Sequence, residues 1–266
     1  MYQIGMPSAS ERAQRVREKL NNRFGTSLFV RFSNEEPLSP FISTGLESLD
    51  RALNGGFPRG SVIECFGEAG TGKTSFALLC IASLQRQGRL AAFIDAERTV
   101  TMHDLVRSGI DEPRLPILYP STGEDVVSLC ERLTQLKTLD LIVIDSIPTL
   151  LRADSERFDL TPENVAQDCR FQYRLVTRLE ELAKRRQLVI LMINHESTSS
   201  DLAIGSSQGS MTLKLRSAVR LRLESFRRCC DQEGRIIGQR VDIRVIRAPH
   251  MPYQALCPFP IRYSQQ

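Results

Sequence analysis

A chain of 266 residues, 41% of them hydrophobic, suits one large domain with a core and a short appendage better than two full domains. A net charge of +4 permits nucleic acid as a partner without indicating it. The seven cysteines show neither C-x-x-C pairing nor regular spacing, so neither a zinc site nor a disulfide framework is suggested, and a reducing, cytoplasmic compartment follows; no basic, apolar leader opens the chain and no run reaches the roughly 18 apolar residues of a membrane helix, so no membrane is indicated.

Residues 8–24 predict a capped amphipathic helix, with Ser8 and Glu11 at capping-box spacing and Ala13, Val16, Leu20 and Phe24 on one face. A strand-like run at 28–32 and a linker with prolines and acids at 33–40 come next. This divides the chain into a helix-strand oligomerisation arm with its linker at 1–38 and a core at 39–266. The arm either packs on its own core or docks on a neighbouring subunit.

In the core, apolar runs at 62–66, 91–94, 141–144 and 188–193 predict buried strands, and 74–87, 125–137 and 161–186 carry helical periodicity. Such alternation predicts an α/β fold with a mainly parallel sheet. Past residue 217, Val219, Leu221 and Leu223 alternate with Arg220, Arg222 and Glu224, and Val241, Ile243 and Val245 alternate with Asp242 and Arg244. These predict strands with one wet face in an antiparallel extension.

Between the first strand and first long helix lies Gly67-Glu68-Ala69-Gly70-Thr71-Gly72-Lys73-Thr74-Ser75. Glycines let a backbone curl so that successive N–H groups aim at phosphate oxygens, and the helix that follows directs its positive dipole end at the same anion. Lys73 is placed for the β- and γ-phosphates and Thr74 for magnesium, so this segment predicts a site for ATP and Mg2+. The apolar run at 141–144 closes on Asp145, a carboxylate suited to magnesium-bound water or, alternatively, a solvated strand end. Glu97 ends the neighbouring strand and is either the base for the attacking water or a helix cap.

Ile42-Ser43-Thr44-Gly45, Leu49-Asp50, Gly56-Phe57-Pro58-Arg59-Gly60, the glycine loop, Phe93 to Glu97, Val143-Ile144-Asp145-Ser146, Ile193-Asn194 and Ala218-Val219-Arg220-Leu221 occur in the order typical of bacterial RecA recombinases. The resemblance extends back to Arg23-Phe24-Gly25-Thr26-Ser27, similar to the end of that family's polymerisation arm, and covers about residues 17–254. It implies a RecA-like P-loop NTPase core in which Lys73 and Glu97 are catalytic and Thr74 and Asp145 hold magnesium. At the family's γ-phosphate-sensing glutamine stands His195, read as a phosphate donor or as a plain surface histidine.

By position and by Gly/Ser/Thr content, residues 197–210 resemble the family's DNA-binding loop, which nominates Ser197, Ser206, Ser207 and Gly209; a plain flexible connection is the alternative. Lys214, Arg216, Arg220, Arg222, Arg227 and Arg228 surround it, and Arg216, Arg220 and Arg222 are nominated as phosphate contacts, against the reading of a solvated charged strand. Arg247 lies near two family lysines that reach a neighbour's ATP, with the register off by one residue. Thr101, Met102, His103 and Asp104 replace the family's adenine contacts, and the chain reads as a short paralogue without the family's C-terminal domain.

The leading expectation is an ATP-hydrolysing protein that assembles as a homo-oligomeric filament on single-stranded DNA in recombination or repair, with other repair proteins as further partners. A regulatory adaptor that binds a recombinase or a translesion polymerase is the alternative, and a ring-forming ATPase of the helicase or clock type is a third.

Overall fold

The computed structural model describes residues 40–136, 139–147, 150, 161–195, 212–230, 233, 236–249 and 255–262. The chain divides into Met1–Leu38 and Ser39–Gln266. The helix expected at 8–24 and the strand at 28–32 lie outside the described residues, as do Ser197, Ser206, Ser207 and Gly209.

Ahead of the main sheet, β1 (Phe41–Ile42) pairs antiparallel with β2 (Phe57–Pro58), and α1 (Glu47–Ala52) lies between them in sequence. Asp50 of α1 accepts hydrogen bonds from Ser43 Oγ at 2.5 Å, Thr44 N at 2.7 Å and Thr44 Oγ1 at 2.6 Å. One carboxylate thus closes the loop that leads into α1, which gives the Ser-Thr and Leu-Asp motifs a structural cause.

The remaining strands are β3 (Ser61–Gly67), β4 (Leu90–Asp95), β5 (Ile117–Leu118), β6 (Leu139–Asp145), β7 (Val189–His195), β8 (Val219–Cys230), β9 (Ile236–Arg247) and β10 (Leu256–Arg262). They form one sheet in the order β10-β9-β8-β3-β7-β6-β4-β5. Every pairing from β5 across to β8 is parallel, and β9 and β10 are antiparallel to their neighbours. The expected mainly parallel α/β sheet with an antiparallel extension is therefore present. The extension starts one strand later than expected, because β8 pairs parallel with β3.

Helices α2 (Lys73–Arg86), α3 (Met102–Ser108), α4 (Gly123–Leu133) and α5 (Pro162–Arg186) complete the fold. Alternation along each strand splits the core into two layers. Ile63, Cys65, Phe93, Leu141, Val143, Leu191 and Ile193 pack with Phe76, Ile81 and Leu84 of α2. Val62, Ile94, Ile142, Ile144, Ile190 and Met192 pack with Val126 of α4 and Leu175, Leu179 and Leu182 of α5. With both faces covered, these strands read as continuous apolar runs. Helix α3 had no apolar stripe to announce it; a reciprocal capping box between Thr101 and Asp104 starts it and Gly109, at φ 72°, ends it.

Glu64 breaks the apolar pattern of β3. It is fully buried, accepts from Asn194 Nδ2 at 3.0 Å and pairs with Arg220 Nε at 2.5 Å. Glu64 and Arg220 sit opposite each other in the β3–β8 register, and the guanidinium lies 4.6 Å from the Phe66 ring centroid. Arg220 is consequently not on the wet face that alternation suggested: its partner carboxylate draws it into the protein. Buried charges persist only when paired in this way, because an isolated one loses its hydration without replacement.

Candidate nucleotide site

Parallel strands bring their carboxyl ends to one edge, where an α/β sheet binds ligands. Gly67 of β3 is in register with His195 of β7, and Asp95 of β4 with Asp145 of β6. The glycine loop begins under steric constraint: Gly67 has φ +152°, and a Cβ there would stand 2.4 Å from Leu223 O. It ends at Gly72, whose left-handed φ of 86° lets Lys73 open α2.

Lys73 is 5% exposed and donates to Gly67 O at 3.1 Å and Glu68 O at 2.7 Å. Its ammonium is thereby folded over the loop that would wrap phosphate. Thr71 Oγ1 also donates to Glu68 O, at 2.9 Å. Thr74 Oγ1 donates to Asp145 Oδ2 at 2.6 Å, bridging the start of α2 and the end of β6. Burial pushes the Asp145 carboxyl up to about 6, against the hydrogen bond from Thr74; the charges of Glu97 and Asp95 add to the rise.

The chain leaves β4 through a loop held by Asp95, which accepts from Thr99 N at 3.3 Å and Val100 N at 3.1 Å. This turn carries Glu97 to the sheet edge, where its Oε1 meets both Ser146 Oγ and His195 Nε2, the latter at 2.8 Å. Partial burial pushes the Glu97 carboxyl up, but the hydrogen bonds from Ser146 and His195 and the charges of His195 and Lys73 outweigh it and hold it below its usual value. A carboxylate kept ionised beside an ammonium can orient and accept a proton from water.

A cavity of about 460 Å³ opens here, lined by Ala69, Gly70, Gly72, Lys73, Thr74 and Ser75 of the loop and by Glu97, Asp145, His195 and Arg107. Gly67, Glu68 and Thr71 are not on its wall; they shape the loop through backbone geometry and the Glu68 carbonyl. Thr74 and Asp145 fit a magnesium ion as two hard oxygen donors, a hydroxyl and a buried carboxylate 2.6 Å apart. Among the described residues no cluster of three or more His, Cys, Asp or Glu is built to hold a metal. A two-donor site leaves the remaining positions to phosphate and water, which is the usual form of a Mg2+–nucleotide site.

The sequence of residues 12–265 matches the family model of the RecA N-terminal domain. The chain belongs to the RecA family. It is similar to Protein RecA of Clostridioides difficile (strain 630), 31% identical over 93% of this chain and 72% of the relative. Protein RecA of Desulforapulum autotrophicum is 29% identical over 93% and 72%, and that of Chlorobaculum parvum 29% over 93% and 73%.

In this RecA-family chain the cations nominated for DNA are engaged with carboxylates. Arg216 pairs with Glu180 at 2.7 Å, donates to Tyr173 Oη at 2.7 Å and stacks over that ring at 4.8 Å. Arg222 pairs with Glu224 at 3.1 Å, and Arg244 shares the same carboxylate at 2.8 Å. Exposed Arg247 donates to the carbonyls of Lys214 and Leu215 at 3.0 and 3.2 Å, at the end of the helical segment 212–216. The RecA-family motif residues left one cavity residue unannounced, Arg107, whose signal was the Thr101/Asp104 capping box that starts its helix. Among the described residues no helix is long and apolar enough to cross a membrane.

Proposed function

We propose that this RecA-family chain binds ATP with Mg2+ through Lys73, Thr74 and Asp145 and hydrolyses it with Glu97 as general base, coupling turnover to assembly on single-stranded DNA in recombination or repair. The observation that carries the proposal is the meeting of Glu97 with His195 and Ser146 on the wall of the cavity that also holds Lys73, Thr74 and Asp145. Lys73 holds the β- and γ-phosphates, Ser146 orients Glu97, and Glu97 positions water and takes its proton. Thr74 and Asp145 would hold magnesium, which would supply positive charge against the phosphate oxygens. His195 is the γ-phosphate sensor, joined to the base it reports to; residues 197–210 begin two positions after it and provide the DNA contacts, and Arg247 serves a neighbouring subunit's site. The homo-oligomer is cytoplasmic, in keeping with the free thiols of Cys65, Cys80, Cys130, Cys169, Cys230 and Cys257.

Steady-state ATP hydrolysis with and without single-stranded DNA tests the reading, with Lys73→Ala as the blank. DNA-stimulated turnover that Glu97→Gln abolishes while ATP binding persists is the expected result. Turnover unchanged in Glu97→Gln would reject the base assignment. The pairing of Arg216, Arg220 and Arg222 with Glu180, Glu64 and Glu224 supports a second reading, an adaptor for a recombinase or a repair polymerase. An adaptor hydrolyses ATP weakly and is indifferent to DNA.

A further inference from the structure

The wall of the nucleotide cavity carries two carboxylates, Glu97 and Asp145, against the single ammonium of Lys73. A polyphosphate is held by cations, and beside Lys73 the wall carries a second, permanently charged one, Arg107. The residue lies in the last turn of α3, lines the cavity, and is one-fifth exposed along its side chain.

Its position is set by a chain of contacts. Arg107 Nη2 donates to Asp104 Oδ1 at 2.9 Å, and the other oxygen of that carboxylate, Oδ2, accepts from Thr101 N at 3.1 Å and Thr101 Oγ1 at 2.6 Å. The carboxylate that steadies the guanidinium is therefore itself fastened to the helix start. Guanidinium, permanently charged and planar, is the side chain best matched to phosphate oxygens.

We infer that Arg107 is a phosphate-binding residue of this cavity, contacting the polyphosphate of the bound nucleotide and held in place by Asp104. The inference rests on the ATP site proposed above. It also gives α3 a role: in the segment where the family's adenine contacts are unmatched, this chain offers a fixed cation.

The test is a binding titration of the full chain with a fluorescent ATP analogue and Mg2+, competed with inorganic tripolyphosphate, for wild type, Lys73→Ala, Arg107→Ala, Arg107→Lys and Asp104→Asn. Arg107→Ala is expected to weaken the analogue and tripolyphosphate alike by about tenfold or more. Arg107→Lys should recover part of the loss, since charge remains while the fork is gone, and Asp104→Asn should weaken both by a smaller factor. Wild type that fails to bind, or Lys73→Ala that binds as well as wild type, would overturn the ATP site and this inference with it. Wild-type affinity in Arg107→Ala, with Lys73→Ala defective, would overturn the role of Arg107 and leave the site standing. A loss for the analogue without a loss for tripolyphosphate would place Arg107 on the base or ribose and reject the phosphate contact. Melting curves without nucleotide show whether Arg107→Ala stays folded; if it does not, Arg107→Lys and Arg107→Gln carry the comparison.

Discussion

Glu97 Oε1 and His195 Nε2 lie 2.8 Å apart, although 98 residues separate them in the chain. The contact ties the loop after β4 to the end of β7, so the candidate base and the candidate sensor share one hydrogen bond. Any phosphate that draws His195 away also removes a donor from Glu97. The carboxylate then becomes more basic, at the moment when a base is needed.

Replacing His195 by Ala should move the acid limb of the kcat/KM–pH profile to higher pH. In the proposed mechanism Glu97 works as the anion, and His195 helps to hold its pKa below the ordinary value. Losing that donor and its charge raises the pKa, so more of the base is protonated at a given acidic pH. A limb that stays in place, or moves to lower pH, would detach His195 from Glu97 function.

Ser146→Ala should lower kcat by roughly tenfold with little change in KM for ATP, since orientation of the base matters in the chemical step and not in nucleotide binding. Ser146 reaches Glu97 directly and does not line the cavity. Single-turnover hydrolysis at saturating ATP measures this. An equal fall in ATP affinity would show that the serine supports the pocket as a whole.

Magnesium uptake should be linked to a proton. Asp145, pushed up to about 6 without metal, must ionise to ligate Mg2+, so metal-dependent ATP binding should weaken as pH falls through 6. Calorimetry in buffers of different ionisation heat should register proton release at pH 5.5 and very little at pH 8. The same raised pKa has a stability consequence with defined sign. Stabilisation from protonating Asp145 is fully present below its unfolded value, near 3.8, and lost as pH rises through about 6. Saturating Mg2+ and ATP should abolish that contribution.

Glu64→Ala should destabilise the fold by about 3–5 kcal/mol, because it leaves the Arg220 guanidinium buried without its partner. Replacing Glu64 and Arg220 together by leucines should recover much of the loss. Urea unfolding of the single and double variants decides it, and a Glu64→Ala variant within about 1 kcal/mol of wild type would reject the structural role given to the pair.

Much of the fold could be read from the chain because its central strands are covered on both faces: the runs at 62–66, 91–94, 141–144 and 188–193 lie within β3, β4, β6 and, save Leu188, β7. The loop glycines, Lys73, Thr74, Asp145 and Glu97 were legible for a related reason, since parallel strands deliver their ends to one edge. What alternation encodes is a face, not what covers it. Arg220 alternates like a solvent-facing residue, yet Glu64, 156 residues earlier, meets it inside the protein. Helix α3, at seven residues, was too short for a periodic pattern, and its local signals were its capping box and the glycine that ends it.

Among the described residues, the sheet ends differently on its two sides. At one margin β5 is only two residues long. At the other, β10 carries Pro258 and Pro260, which pair with Asp242 and Arg240 and so fall on alternate residues of the same ribbon. Two missing amide donors leave a poor template for a further strand, the kind of device by which edge strands avoid fibrous aggregation. A strand from another molecule would find two amide donors missing along β10, so that margin is the less hospitable one for a strand added from outside.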